Sequence, residues 1–163
     1  MPGMTDPSIA LPIYQQQIEA RAIPLQKCVH SPDLYVAVDH PGGRPRFSYM
    51  RLRGNTLLAL AMFAQVEPVD GVPCFQMGIA VPVAYRRQGL GYSTLAASIR
   101  EMKEGFARTI LKDFFLEAIV DVTNDASNRI ITRLFGVVPK SITDEFSGAS
   151  ALQYVVRASA VKI

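Results

Sequence analysis

The stretch Arg-Arg-Gln-Gly-Leu-Gly at positions 86–91 (RRQGLG) decides the fold. An apolar run that ends in GIAVPVAY precedes it, and a segment that begins YSTLAASIR, from about 92 to 108, follows it. The apolar residues of this second segment recur at helical intervals of four, three and four: Leu95, Ile99, Met102 and Phe106. The two glycines therefore fall where a strand passes into a helix.

A glycine turn at such a junction can bind an anion. The first N–H groups of a helix lack internal partners and lie at the positive end of its dipole. Gly89 and Gly91 let the backbone approach a phosphate without a Cβ in the way, and Arg86 and Arg87 add positive charge. A P-loop is excluded because no Gly-Lys pair occurs in the chain, and a dinucleotide turn would need a third glycine.

The turn resembles the acyl-coenzyme A segment of the GNAT superfamily of N-acyltransferases, whose signature is [Q/R]-x-x-G-x-[G/A]. Arg86, Gly89 and Gly91 match it position for position. Further along, VDVTNDASNRIITRLFG resembles the family's next strand and helix through Asn124 and Ser127, although its closing Gly–aromatic pair is reversed. The resemblance covers residues 74–137 well and the first 40 residues poorly.

The remaining patterns predict the rest of the fold. We expect a helix from 13 to about 24, strands at 33–38, 46–53, 56–67 and 74–85, and then strand 114–122, helix 126–136 and strand 151–158. This order predicts an α/β (α+β) fold with a single mixed, mostly antiparallel central sheet and helices on both faces. The resemblance implies a splayed strand pair, which accommodates Pro82 because a missing N–H costs no ladder bond there. We predict one GNAT-like domain over 1–163, with residues 1–12 as a loose tail.

Composition narrows the class of protein. The 163 residues carry a net charge of +3 without a clustered basic segment, so nucleic acid is not favoured as a partner. No signal peptide or membrane span is evident, and the two cysteines fit free thiols in a cytoplasmic protein. Two histidines do not form a familiar zinc pattern, so no metal is predicted. A homodimer is left open.

The resemblance implies acetyl-CoA as the cofactor. In the family, pantetheine lies in the gap beside the strand before the glycine turn, where exposed backbone groups bind its amides. The residues that this implies for cofactor binding are Ile79, Ala80, Val81, Val83, Arg86, Arg87, Gln88, Gly89, Leu90, Gly91, Tyr92, Asn124 and Ser127.

The proton-transfer residues are harder to predict. Acyl transfer to an amine needs a neutral amine, a stabilised oxyanion and a protonated leaving thiol. The candidates are Glu67, Ser127 and Tyr154, and the carboxylates Asp70, Glu117 and Asp121 are alternatives for the base. A tyrosine that many relatives carry seven residues after the Asn is Ile131 here.

Three functions follow from these expectations. The first is an N-acetyltransferase that acts by direct transfer on a primary amine of a small molecule or protein. The second is a non-catalytic acyl-CoA-binding or sensing module, which the missing tyrosine favours. The third is a tRNA-acetylating, toxin-like enzyme, which the mildly basic charge suggests.

Overall fold

The computed structural model describes residues 7–163. Within them the chain forms three α-helices, α1 (Pro7–Glu19), α2 (Leu90–Ala107) and α3 (Asp125–Phe135). The strands are β1 (Gln26–Lys27), β2 (Leu34–Asp39), β3 (Arg46–Arg53), β4 (Thr56–Val69), β5 (Val72–Ala80), β6 (Phe115–Asp121), β7 (Lys140–Thr143) and β8 (Ser150–Arg157). Short 3₁₀ turns occupy 41–43, 83–85 and 158–160. None of these helices combines the length and the apolar character needed to cross a bilayer.

All eight strands belong to one sheet in the order β1-β2-β3-β4-β5-β6-β8-β7. Every neighbouring pair is antiparallel except β5 and β6, which are parallel. This parallel pair is joined only where Cys74–Gln76 meets Phe115–Glu117, although β5 continues to Ala80 and β6 to Asp121. The two strands therefore splay apart toward their carboxyl ends, and the predicted mixed sheet with one splayed pair is confirmed.

Helices cover both faces of this sheet, as predicted. On one face, α2 and α3 pack Leu95, Ile99 and Phe135 against the strands in a large apolar core. On the other face, α1 places Tyr14 and Ile18 against β3 and β4. Strand β3 serves both cores because its side chains alternate: Tyr49, for example, faces α2, and the next residue faces α1.

The sequence misjudged the chain's first helix. Residues 7–12, expected in a loose tail, are the first turns of α1, and residues 1–6 lie outside the described residues. The helix ends at Glu19, before Pro24, and it contains Pro12. Three of its buried residues recur every four positions and pack on the sheet: Ala10, Tyr14 and Ile18. This burial outweighs the penalty that a proline inside a helix carries.

Three strand predictions also need correction. Strand β5 ends at Ala80 and not at Tyr85, so Pro82 lies beyond the strand, at the start of the 3₁₀ turn 83–85. The short strands β1 and β7 were not predicted. Both are edge strands, whose mostly exposed side chains give little hydrophobic alternation to read.

Candidate functional site

The splay between β5 and β6 opens a cavity of about 610 Å³. Residues 77–79 of β5 form one wall and residues 118–121 of β6 form the other. Leu95 of α2 and Ile131 of α3 also line it. Because β6 no longer pairs with β5 beyond Gln76, backbone groups of β5 that point toward β6 have no strand partner there. We call this cavity the splay arm.

The glycine turn forms a second cavity of about 600 Å³ at the amino terminus of α2. Gly89 is the N-cap of α2, with a φ of 74°, and no side chain of the described residues caps the helix. The first bond of the helix runs from the Ser93 N–H to the Gly89 carbonyl at 3.1 Å. The N–H groups of residues 90–92 precede that bond and have no acceptor in the helix, so they form an anion-binding end. We call this cavity the glycine-turn arm.

Gly89 and Gly91 occupy different surroundings, so a glycine is needed at each position for a different reason. A Cβ on Gly89 would meet nothing within 4 Å, so this position borders open space. A Cβ on Gly91 would lie 3.0 Å from Cδ1 of Ile130 on α3 and 3.8 Å from Cγ1 of Ile79 on β5. Gly91 therefore allows the first turn of α2 to approach α3 closely.

The two arms form one continuous cleft, because the same four residues line both cavities: Ser8, Ile79, Asn124 and Ser127. Asn124 also caps α3 by accepting a hydrogen bond from the Ser127 N–H at 3.1 Å. The amino termini of α1 and α3 thus lie at the junction of the two arms, whereas the amino terminus of α2 lines the glycine-turn arm alone.

The arms carry opposite charges. Three arginines line the glycine-turn arm, Arg86, Arg87 and Arg129, and none of the described lining residues there is acidic. Arg86 Nε donates to the Val81 carbonyl at 2.9 Å, which fixes its side chain across the turn. Among the described residues that line the splay arm, the charged ones are both aspartates, Asp121 and Asp144.

Hydrogen bonds stabilise the ionised form of both aspartates in the splay arm. The Thr123 hydroxyl donates to Asp121 Oδ1 at 2.7 Å, and the Thr123 N–H donates to the same atom at 2.8 Å. These bonds, the hydroxyl first, lower the pKa of Asp121. The Ser147 hydroxyl, which donates to Asp144 Oδ2 at 2.7 Å, lowers the pKa of Asp144 in the same way.

Most of the residues predicted to bind the cofactor do lie on the walls of the cleft: Ile79, Ala80, Val81, Arg86, Arg87, Gly89, Leu90, Gly91, Tyr92, Asn124 and Ser127. Val83 and Gln88 are exposed in the same connection but do not line it. Their roles in binding remain predictions.

Of the three predicted catalytic residues, only Ser127 lines the cleft. Glu67 is exposed and pairs with Arg44 at 2.7 Å, beside the β4–β5 turn and roughly 20 Å along the strand from Ala80. Tyr154 is buried between β8 and α3, and its hydroxyl donates to Asn128 Oδ1 at 2.9 Å. The structure therefore does not bring Glu67 or Tyr154 to the cleft, and we do not propose either as a catalytic group.

The other carboxylates considered as bases are placed as follows. Asp70 lies in the β4–β5 turn, at the far end of the sheet from the splay. Glu117 accepts hydrogen bonds from the side-chain amides of Gln76 at 3.0 Å and Gln153 at 2.8 Å. Asp121 is the one of these alternatives that lines the cleft. Within the described residues, no group of three or more His, Cys, Asp or Glu is placed to hold a metal ion.

Sequence reasoning missed Arg129, Asp144 and Phe146 as cleft residues. Arg129 lies four residues before Arg133, whose guanidinium stacks on the ring of Tyr92 of α2, so the i,i+4 spacing of the two arginines was a usable signal. Asp144 and Phe146 belong to the connection between β7 and β8, where no periodic pattern marks a position.

Solved structures share this fold. The chain matches a spermidine N-acetyltransferase chimera from Vibrio cholerae and hSSAT with a TM-score of 0.54 and 15% identity, over 74% of this chain and 70% of that one. It matches an N-acetyltransferase from Staphylococcus aureus Mu50 with a TM-score of 0.50 and 17% identity, over 71% and 68%. A ribosomal L7/L12 alpha-N-protein acetyltransferase matches with a TM-score of 0.50 and 17% identity, over 68% of each chain.

No family model matches the sequence, and no curated protein matches it. At these identities the structural likeness shows the fold. The chain has the GNAT acyltransferase fold, as the glycine turn predicted.

Proposed function

We propose that this chain is an N-acetyltransferase that moves an acetyl group from acetyl-CoA to a primary amine of a small molecule or protein. One observation carries the proposal: a single cleft joins a cationic helix amino terminus to the gap between two splayed strands. A ligand that is anionic at one end and extended at the other fits this arrangement.

The residues present fit acetyl-CoA. The free N–H groups of residues 90–92, with Arg86 and Arg87, would hold the diphosphate. The unpaired edge of β5 at residues 77–80 would hold the pantetheine amides. When bound, acetyl-CoA supplies the acetyl group as a thioester, which is activated toward an amine.

Direct transfer requires that a C–N bond form while the C–S bond breaks, with one proton leaving the amine and one reaching the thiolate. Backbone N–H groups of β5 that face the gap would polarise the acetyl carbonyl. Asp121 would hold the incoming ammonium, or a water that accepts its proton, at the mouth of the splay arm.

The two cysteines are unsuited to a covalent acyl-enzyme. Burial, and second the nearby Glu117 carboxylate, raises the pKa of the Cys74 thiol to about 12. Burial and then Glu101 likewise raise the pKa of Cys28 to about 12. Because the thiolate is the nucleophilic form, both thiols are inert at neutral pH, which supports transfer without an enzyme-bound acyl group.

The test measures cofactor binding and turnover separately. Coenzyme A should raise the melting temperature of the wild-type protein, since a ligand that binds only the native state stabilises it. Gly89→Glu should abolish this shift by placing a carboxylate where the phosphates bind. Gly43→Glu is the matched control, because Gly43 also has a positive φ and open space but lies in the β2–β3 turn. An equal shift in Gly89→Glu would contradict the phosphate site.

A second function competes with this one. Two of the predicted proton-transfer residues, Glu67 and Tyr154, lie away from the cleft, which favours a non-catalytic acyl-CoA-binding module. Release of free thiol from acetyl-CoA in the presence of a panel of primary amines distinguishes the two. Binding without thiol release, under conditions where the panel includes cationic amines and peptides, would support the binding module.

A further inference from the structure

The glycine-turn arm carries more positive charge than a diphosphate needs. Arg86 and Arg87 belong to the turn, and Arg129 reaches the same cavity from α3. Within residues 7–163, Arg87 and Arg129 have no hydrogen-bond or ion-pair partner, and no acidic side chain lines this arm. Three guanidinium groups around one cavity repel one another, so their arrangement fits a ligand with more than two negative charges.

Arg129 reaches the glycine-turn arm from α3, whereas the other two arginines belong to the turn itself. The face of α3 that meets α2 is defined by Ile130, which is close to Gly91, and by Arg133, whose guanidinium stacks 3.9 Å from the centre of the Tyr92 ring. Arg129 is one residue before Ile130 and one helical turn before Arg133, so it flanks the first turn of α2. A ligand bound at that helix end is therefore approached by cations from two elements, the turn and α3.

The phosphate groups of coenzyme A account for cations on both the turn and α3. Its diphosphate carries about two negative charges, which match the helix end together with Arg86 and Arg87. Its ribose carries a 3′-phosphomonoester of about −1.5 to −2 charge at neutral pH. Because this phosphate is attached to the ribose and is separate from the diphosphate, it can contact a cation on a second element, and Arg129 of α3 is such a cation.

We propose that Arg129 binds the ribose 3′-phosphate, so that the glycine-turn arm selects coenzyme A over 3′-dephospho-coenzyme A. The proposal rests on the proposed function, because it assumes that the diphosphate occupies the end of α2. Arg129 then determines specificity for the nucleotide and takes no part in the transfer step.

The experiment compares two probes that differ only in this phosphate. Calorimetry measures the dissociation constants of coenzyme A and 3′-dephospho-coenzyme A for the wild type, Arg129→Gln, Arg129→Lys and Arg108→Gln. Arg108 is the matched control: it is exposed, its replacement removes the same charge, and it caps the opposite end of α2, roughly 25 Å from the turn. Circular dichroism of each variant without ligand checks that the fold is kept.

We expect the wild type to bind coenzyme A about tenfold or more tightly than the dephospho form, because one charge-assisted hydrogen bond contributes about that much affinity. Arg129→Gln should weaken coenzyme A about tenfold while changing the dephospho form by less than about twofold, and Arg129→Lys should restore part of the preference. Arg108→Gln should keep the wild-type ratio.

Two results would overturn the inference, and they differ from failure of the proposed function. Equal affinity of the wild type for both probes, or a ratio that Arg129→Gln leaves unchanged, removes the role of Arg129 while coenzyme A binding stands. If neither probe binds the wild type, the proposed function fails, and the inference fails with it.

Discussion

The two arms of the cleft differ in how far backbone groups and side chains contribute to their walls. The glycine-turn arm is made chiefly of backbone: N–H groups at the start of α2, a left-handed Gly89 and a close approach at Gly91. Apart from the unpaired backbone edge of β5, the splay arm is made of side chains, with Asp121 of β6 and Asp144 of the β7–β8 connection as its charges. The first arm suits a constant anionic ligand. In the second arm, the backbone edge of β5 suits the extended part of that ligand, and the acidic side chains suit a cationic partner.

This contrast has a consequence for what each arm tolerates. A site made of backbone groups depends on local geometry and on a few small residues, so one hexapeptide, residues 86–91, is enough to predict most of it. A side-chain site depends on which segments the fold brings together, and its residues can change without altering the sheet. We therefore expect substitutions in the two arms to separate cofactor binding from acceptor binding.

Reversing the charge of the splay arm should give the largest separation. Asp144→Lys replaces an attraction for the acceptor's ammonium by a repulsion, and we expect the KM for a cationic amine to rise about tenfold. The dissociation constant for coenzyme A should change by less than about twofold. Steady-state thiol release and calorimetry measure the two quantities.

Glu145→Lys is the control for this change. Glu145 is the next residue, is exposed and does not line the cleft, so the same alteration of net charge should leave the amine KM nearly unchanged. An equal rise in both variants would mean that overall charge, and not the splay arm, governs acceptor binding.

Filling the space beside Gly91 should test the backbone arm. Gly91→Leu forces the start of α2 away from Ile130, and overpacking of this kind costs about 1–3 kcal/mol of unfolding free energy. The same displacement should weaken coenzyme A binding. Urea denaturation and calorimetry measure the two effects.

The partner substitution makes this test specific. Ile130→Ala removes the side chain that the new leucine would meet, so the double variant should recover part of the lost stability and affinity. If the double variant is no better than Gly91→Leu, the contact with Ile130 is not what requires a glycine at this position.

The sequence predicted one arm much better than the other, and the structure shows why. The turn at 86–91 could be read because strand, glycines and helix are adjacent in the chain. Glu67 was proposed as a base from its place at a strand end, but the register of β4 with β5 carries it to the far end of the sheet. Asp144 and Phe146 reach the splay arm only because β7 and β8 pair beside β6, a long-range arrangement with no local signal. The prediction of a loose tail was wrong at residues 7–12, because the burial of α1 on the sheet outweighs the helix-breaking tendency of its prolines.

We expect Tyr154 to contribute to the stability of the core and not to the acetyl-transfer step. Tyr154→Phe removes the hydroxyl that donates to Asn128, whose amide in turn donates to the carbonyls of Asp121 and Asn124 at 3.0 Å. We expect a loss of about 1 kcal/mol in urea denaturation. The kcat for acetyl transfer should fall by less than about threefold, whereas removal of a general acid would lower it about a hundredfold or more.

The smallest expected effect concerns the pH dependence of amine binding in the splay arm. Hydrogen bonds from Thr123 and Ser147 lower the pKa of Asp121 and Asp144, so both carboxylates remain charged well below neutral pH. A carboxyl whose pKa is lower in the folded state adds stability above its unfolded pKa of about 4, and that stability is lost only as pH falls through the lower folded value. Between pH 8 and pH 5 the advantage of the wild type over Asp144→Asn in binding a cationic amine should therefore stay constant. Calorimetry with the protein saturated in coenzyme A measures this binding without turnover. A difference that disappears between pH 6 and pH 5 would show that another titrating group, and not these aspartates, holds the acceptor.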